Sequence, residues 1–449
     1  MTDSSRSRPA GSTTAANDSV VIPGRWRTLG MISAPLWADN NESTILSTLA
    51  PVIIKALSLP TSAVGVLISI SKAISIFFGP LWAFLARKIG RKAALVVSTF
   101  GVGLFTAGAG TSQGYVQLTI WWVGASMFAA AALPIVTEIT ADLFDEKSRG
   151  RANGWTWGAI SLVGAILGPF IGQLSGIPDG WRYGYYGAGA INILVALIVL
   201  LYFKDPGVGA SEPSLVGLSA EQRAENSKLT WPKVSQLFKI PTFVLMLFQR
   251  LISGHLLIGT FGVLFLVQTY GFNTATAAIV SLPFGIGYMG GTLVGGVIVD
   301  ALQSRWPNVA RVAVLQGAQL GFGVFALLGT QINWGAIGIF AVFWGLMGFM
   351  QGINPGVNRP IVSAVVPPEL RGAAFALMLS VFEAIAFIAY NLIAGFLADA
   401  VGLKVVMLWI PGILMLINAA YVTLLYRTYP RDVARQREVL AREAVEAQA

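Results

Sequence analysis

The sequence predicts an all-α membrane protein: twelve transmembrane helices in two pseudo-symmetric bundles of six. Three observations predict it. The 449-residue chain is 55% hydrophobic and only 11% charged, where an ordinary soluble domain carries roughly 25% charge. Its apolar residues fall into twelve runs, each near the about 20 residues that cross a bilayer. Its basic residues lie between those runs, on alternate sides.

The 50 glycines fit membrane helices, which use glycine more than soluble ones do. There is no cysteine and one histidine, His255. Disulfides, thiolate or histidine metal sites and cysteine nucleophiles are therefore excluded. No metal, cofactor or enzymatic constellation is expected. The net charge of +9 would suit nucleic acid, but its placement between apolar runs follows membrane orientation instead, so no nucleic-acid partner is expected.

In chain order, residues 1–28 are polar and rich in Ser, Thr, Arg and Ala. They read as a disordered cytoplasmic tail, not a cleavable signal. The first bundle occupies 29–204, with spans at roughly 30–54, 62–86, 92–111, 115–140, 152–174 and 184–203. The longest polar interruption, 205–240, reads as a solvated cytoplasmic linker, with a short surface helix at Leu218–Glu225 as the alternative. The second bundle occupies 241–427, with spans at roughly 241–269, 275–299, 311–330, 335–357, 373–397 and 404–426. The tail 428–449 is charged and helix-prone and reads as a cytoplasmic surface helix.

With both termini in the cytoplasm, 24 of the 30 Lys and Arg residues lie inside. Lys55, Arg182 and Lys404 lie outside, and Lys72, Arg250 and Arg359 fall in or at the edge of spans. That bias predicts the orientation. The halves also resemble each other. Glu146-Lys-Ser-Arg149-Gly150 corresponds to Glu369-Leu-Arg371-Gly372, and Ala83–Arg87 to Gly296–Asp300, at offsets of 222 and 213 residues. Transporters are often built from such repeats, with the substrate path between them.

The loop Ala83-Phe-Leu-Ala-Arg87-Lys88-Ile-Gly90-Arg91-Lys92 resembles the Gly-x-x-x-Asp-Arg/Lys-x-Gly-Arg-Arg/Lys loop of the major facilitator superfamily. The resemblance covers roughly residues 30–427. It implies that fold, transport activity, and a cytoplasmic latch between the halves. Arg87, Lys88, Gly90 and Arg91 would then be gating residues, with Asp300 the second-half counterpart of Arg87, and Arg149 and its counterpart Arg371 a second pair of gating candidates. Ala83 and Arg87 replace the family's Gly and Asp, which weakens the latch. Glu138 and Asp142 close span 4 and read as partners of Arg87, Arg91 or Arg149, as gate or as scaffold.

Gly164-Ala-Ile-Leu-Gly168-Pro169-Phe-Ile-Gly172 resembles the signature of family exporters that run as antiporters. Its three glycines line one helix face, so a neighbouring helix can approach. Tight packing alone is the alternative, since Gly287, Gly291, Gly295 and Gly348, Gly352, Gly356 form similar stripes. The exporters' span-4 Arg is absent, with Ile120 in its place. Gly180-Trp181-Arg182, Lys204-Asp205-Pro206 and the loop Asp300–Arg311 resemble the spinster-like branch, linked to lysolipid and sphingolipid export.

Ionisable groups inside spans are costly and mark candidate sites. Asp39 and Glu42 share a face of span 1, roughly 13 and 18 Å deep, and Lys72 lies roughly 15 Å deep in span 2. These three are expected to meet as the proton-coupling site, or as a structural ion cluster. Two carboxylates on one lysine cannot both be neutralised as ions, so one is expected to hold an exchangeable proton. Arg250 suits an anionic substrate group or a buried carboxylate, and Glu383, a further proton-coupling candidate, is its expected partner. His255 is either a proton carrier or a packing residue. Asn354 either lines the path or caps a helix.

The expected function is proton-coupled export of amphipathic or lipophilic small molecules by alternating access, lysolipid-like or drug-like. The alternatives are an importer of a small polar metabolite and a non-transporting receptor. The expected partners are substrate, protons and the lipid bilayer of the cell membrane, with the chain acting as a monomer.

Overall fold

The computed structural model describes residues 23–144, 146–207, 234–307 and 309–446. The surface helix expected as an alternative at Leu218–Glu225 lies outside the described residues, as does nearly all of the expected N-terminal tail.

Thirteen helical segments follow in order. The first half holds α1 (Arg25–Leu57), α2 (Ser62–Ile89), α3 (Arg91–Ala109), α4 (Tyr115–Leu143), α5 (Glu146–Gln173) and α6 (Gly180–Tyr202). The second holds α7 (Pro241–Tyr270), α8 (Thr274–Gln303), α9 (Ala310–Gln331), α10 (Ile337–Val365), α11 (Arg371–Val401) and α12 (Leu403–Val422). α13 (Leu425–Glu446) follows. Among the described residues, eleven helices are long and apolar enough to cross a membrane. The twelfth, α1, has the length, at 33 residues. The polar run Asp39-Asn-Asn-Glu42 in its middle lowers its mean hydropathy, because charged and amide groups cost most there. The protein is a multi-pass membrane protein.

Several helices are interrupted where the sequence is uniformly apolar. α7 breaks at Ile252–Ser253 and passes through a 3₁₀ turn at Gly254–Leu257. The carbonyls freed there find donors on α11 and α12. The Tyr390 hydroxyl donates to Leu251, and the Asn418 amide donates to Gln249 and Ile252 at 3.2 and 3.0 Å. α11 carries a π-helical stretch at Ala376–Phe382. Such irregular backbone survives at membrane depth only where it faces protein or a cavity.

The end that carries Arg91, Arg311 and Arg371 is called the basic end. Away from it, the halves share one hydrophobic core containing Leu49, Leu67 and Trp181 of the first half and Phe261, Trp344 and Ala394 of the second. Toward the basic end there are two separate cores. One lies wholly in the first half, around Leu95, Ile139 and Phe203, and the other wholly in the second, around Phe243, Leu315 and Val362. The halves therefore meet at one end and part at the other. α13 docks on the basic end of the second half. There Asp432 accepts the Thr242 N–H at the start of α7 (2.8 Å), and Arg311 donates to the Tyr429 hydroxyl (3.1 Å).

Two seams join the halves. In one, α2 lies on α11. The Ser69 hydroxyl donates to the Ile388 carbonyl at 3.1 Å, and a Cβ on Gly395 would lie 2.8 Å from the Ser62 Cα. In the other, α5 lies on α8. A Cβ on Gly168 would lie 2.8 Å from the Ser281 Cβ, and one on Gly172 2.5 Å from the Ala278 Cβ. Gly164 meets nothing within 4 Å and borders a cavity instead. The other two glycine stripes differ. Gly287 and Gly291 abut the backbone of Gly345 and Phe349, and Gly348 and Gly352 that of Phe284 and Tyr288. Those stripes close α8 on α10 inside the second half, which is tight packing. Of the three stripes, only the Gly168–Gly172 face, with Pro169 between its glycines, packs across the halves.

Candidate functional site

Between the halves lies a cavity in two adjoining lobes that both border Thr44, Ser47 and Gly259. The first, about 480 Å³, is bordered by Phe284, Tyr288, Trp344 and Gln351 of the second half. The second, about 450 Å³, is bordered by Ser43, Ser71, Lys72, Ser75, Thr260 and Phe387. Both volumes fall in the range of small-molecule sites. Small polar side chains on α1, α2 and α7 line it because serine and threonine cost little inside an apolar helix, where they hydrogen-bond their own backbone. Ser47 donates to the Ser43 carbonyl at 2.8 Å, and Ser75 to that of Ser71 at 2.9 Å.

The structure separates the expected proton-coupling cluster. Lys72 makes no ion pair among the described residues; its ammonium lies 6.0 Å from the Phe387 ring across the inter-half seam. Asp39 and Glu42 face the other way, into the first half. Glu42 is only 4% exposed, its Oε1 has no hydrogen-bond partner, and neither has Asp39 Oδ1. Glu42 lies in the field of Asp39, and the buried Tyr185 hydroxyl of α6 in the field of Glu42. The Asn192 amide of α6 donates to the Ala38 carbonyl at 3.3 Å. Depth along a helix put the three charges level. Their azimuth places lysine and carboxylates on different faces.

Arg250 and Glu383 do meet. An Arg250 Nη2–H donates to Glu383 Oε2, at the α7 break and just after the π stretch of α11. Their field reaches Tyr288 on the cavity wall, together with that of Arg359. Arg250, His255 and Asn354 themselves border neither lobe. His255 is buried in the shared core with its ring edge-on to Phe322 at 5.9 Å. Asn354 accepts from the Gln319 amide in the α9–α10 seam, because its face of α10 is the one α9 covers. Asn354 thus lies in the α9–α10 seam and borders neither lobe.

At the basic end, Gly90 turns the chain at φ +89°, a left-handed conformation that favours glycine. Arg91 follows it and is clamped by Asp142 of α4 and by Asp205 after α6, with Glu138 at 3.7 Å. Asp142 and Glu138 belong to the first half and Asp205 directly follows it, so Arg91 braces that half and does not reach the other. Arg87 makes no ion pair among the described residues, and Lys88 lies over the Phe84 ring at 4.7 Å. Asp300 is exposed without an ion partner among them, and Arg371 donates to the Ser363 carbonyl at 3.2 Å. The Arg149 side chain lies outside the described residues.

Sequence reading missed one contact between the halves. At the end away from the basic one, Asp399 of α11 accepts the N–H groups of Thr61 and Ser62 at 2.7 and 3.1 Å. It also missed the cavity hydroxyls. Their signal was Ser43, Thr44 and Ser47 after Glu42, and Ser71 and Ser75 around Lys72, inside otherwise apolar spans.

Two helical halves around a shared cavity, closed at one end, define a membrane transporter rather than an enzyme. Residues 38–335 and 308–447 match the Major Facilitator Superfamily, and the chain belongs to that family. It is 26% identical over 304 residues to the probable sulfoacetate transporter SauU of Cupriavidus necator, covering 66% of this chain and 70% of that one. It is 22% identical over 344 residues to multidrug resistance protein 3 of Bacillus subtilis, covering 66% of this chain and 64% of that one. In fold it is similar to the crystal structure of a bacterial homologue of the human lysosomal transporter Spinster, inward-facing and occupied. The TM-score is 0.76 at 20% identity, over 92% of this chain and 98% of the other.

Proposed function

We propose that this chain is a proton-coupled exporter of amphipathic small molecules, of the spinster-like kind, working by alternating access as a monomer in the cell membrane. Its two halves are the segments 29–204 and 241–427. The observation that carries the reading is the division of the core: one shared core away from the basic end, two separate cores at it. A substrate entering from the basic end reaches the cavity, and the α2–α11 and α5–α8 seams bar its exit. The Lys and Arg bias makes the basic end, both termini and residues 205–240 cytoplasmic. The state described here is then the loading state of an exporter. The second lobe-bearing half adds Phe284 and Trp344, an aromatic surface suited to an apolar substrate body.

Orientation is checked with single cysteines, which can be introduced into a chain that has none. In intact cells an impermeant thiol reagent should label positions beside Lys55 and Lys404. Labelling beside Lys228 would reverse the orientation.

The proton carrier is the Asp39–Glu42 pair. Two neighbouring carboxylates at membrane depth, with no cation paired to them among the described residues, suit the uptake and release of a proton. Glu42, the more enclosed, is the exchanging group, and opening of each side in turn would give it access to water. Glu42→Gln keeps the shape of the protonated acid. In proteoliposomes with an imposed pH gradient it should retain binding and lose gradient-driven movement of amphipathic fluorescent probes. Wild-type driven rates in both Glu42→Gln and Asp39→Asn would make the pair structural.

A further inference from the structure

Lys72 stands apart from every other charge in the core of this molecule. Among the described residues bordering either lobe of the cavity it is the sole charged one, and none of them is a carboxylate. The membrane-depth acids are committed elsewhere. Glu383 is held by Arg250, and Asp39 and Glu42 face α6. A cation without a counter-ion inside a spanning helix is costly, and it persists when something that comes and goes supplies the charge. Around it the wall offers donors. The Ser43 and Thr260 hydroxyls border the same lobe and make no hydrogen bond among the described residues, so both are able to donate. Beside them Phe387, Leu256 and Ile68 give an apolar surface, continuous through Gly259 with Phe284 and Trp344 of the other lobe.

We propose that the cavity selects amphipathic anions, seating one carboxylate, sulfonate or phosphate on the Lys72 ammonium and the Ser43 and Thr260 hydroxyls, with the apolar body along Phe387 and into the aromatic lobe. This deepens the transport reading and rests on it. It also supplies a coupling device. Lys72 projects at the seam between α2 and α11, 6.0 Å from the Phe387 ring. Closing the basic end over an empty cavity would seal an unpaired ammonium away from water, which is unfavourable. A bound anion neutralises it, so the loaded transporter closes more readily than the empty one.

The test uses the full chain in nanodiscs, titrated calorimetrically against empty-disc controls. The probes are naphthalene-2-sulfonate, its uncharged counterpart naphthalene-2-sulfonamide, and the single-chain anionic lipid lysophosphatidylglycerol. At least one anion should bind about tenfold more tightly than the sulfonamide, the worth of one hydrogen bond to a charged group. Lys72→Gln should erase that preference while sulfonamide affinity stays unchanged, and Lys72→Arg should keep it. Ser43→Asp places a counter-ion in the same wall and should erase the preference with the lysine still present, which covers the case in which Lys72→Gln does not fold. Preference for lysophosphatidylglycerol alone assigns the site to lipids, and for the sulfonate alone to water-soluble anions. The proposal is overturned if neither anion is preferred, or if the preference survives Lys72→Gln. Charge-selective binding without gradient-driven transport would leave this site standing and sink the transport reading. Unselective binding with such transport would do the reverse.

Discussion

Glu383→Gln should destabilise the protein by about 3 kcal/mol, the lower part of the range for removing one partner of a buried ion pair. The Arg250 side chain is 7% exposed and that of Glu383 26%, so the pair is only partly enclosed and the loss falls short of the fully enclosed case. The damage comes from Arg250. Its Nε has no other partner, and it sits on the last turn before the break in α7, where no helical neighbour can neutralise it. The neutral double variant Arg250→Met with Glu383→Gln removes both charges and should recover most of the stability. Thermal unfolding in detergent reads this directly: a large downward shift for the single variant and a small one for the pair. If the single variant melts with the wild type, the pair does not hold α7 to α11. Transport by the double variant then separates two roles. Recovered stability with lost transport assigns the pair to the working cycle through Tyr288 on the cavity wall, whereas recovery of both assigns it to architecture.

The same pair shows what a sequence can and cannot carry. Opposite charges at similar depth in two apolar spans have few other ways to be satisfied, so Arg250 and Glu383 were legible as partners. Asp39, Glu42 and Lys72 obeyed the same rule of depth and yet do not meet. Depth follows from the rise per residue, but which way a side chain points depends on how each helix is rotated against its neighbours. The spans themselves were legible from length and composition, α1 included, despite its polar centre. The break in α7 and the π stretch in α11 were not, because the residues that satisfy the exposed carbonyls, Tyr390 and Asn418, come from distant helices. The glycine stripes were visible as three equal patterns. Only tertiary structure separates the pair that seals α8 on α10 from the face of α5 that crosses to the other half. The tail of the basic loop after α2 matched its family pattern, but the acids clamping Arg91 lie within its own half or directly after it, one of them 114 residues away.

Asp399→Ala should shift the molecule toward the state open away from the basic end. The Asp399 carboxylate receives two backbone N–H groups at the start of α2, the position where helices leave donors unsatisfied and favour negative charge. Most such caps come from the helix's own chain just upstream. Here the cap comes from the other half of the protein, 337 and 338 residues on. It therefore exists only while that end is closed, and its free energy counts entirely toward the closed state. Bonds to a charged group contribute about 1.5–3 kcal/mol each when buried. These are part-buried, so a combined effect of about 1.4 kcal/mol, a tenfold change in the ratio of the two states, is the conservative expectation. Cysteines at Leu59 and Val401 should cross-link more slowly in Asp399→Ala than in the wild type, in proportion to the lost closed population and by at most about tenfold. Asp399→Asn keeps an acceptor oxygen without the charge and should fall between. An unchanged cross-linking rate in Asp399→Ala would mean that the apolar contacts of α2 on α11, from Ser62 against Gly395 to Ser69 against Ile388, hold that end shut by themselves.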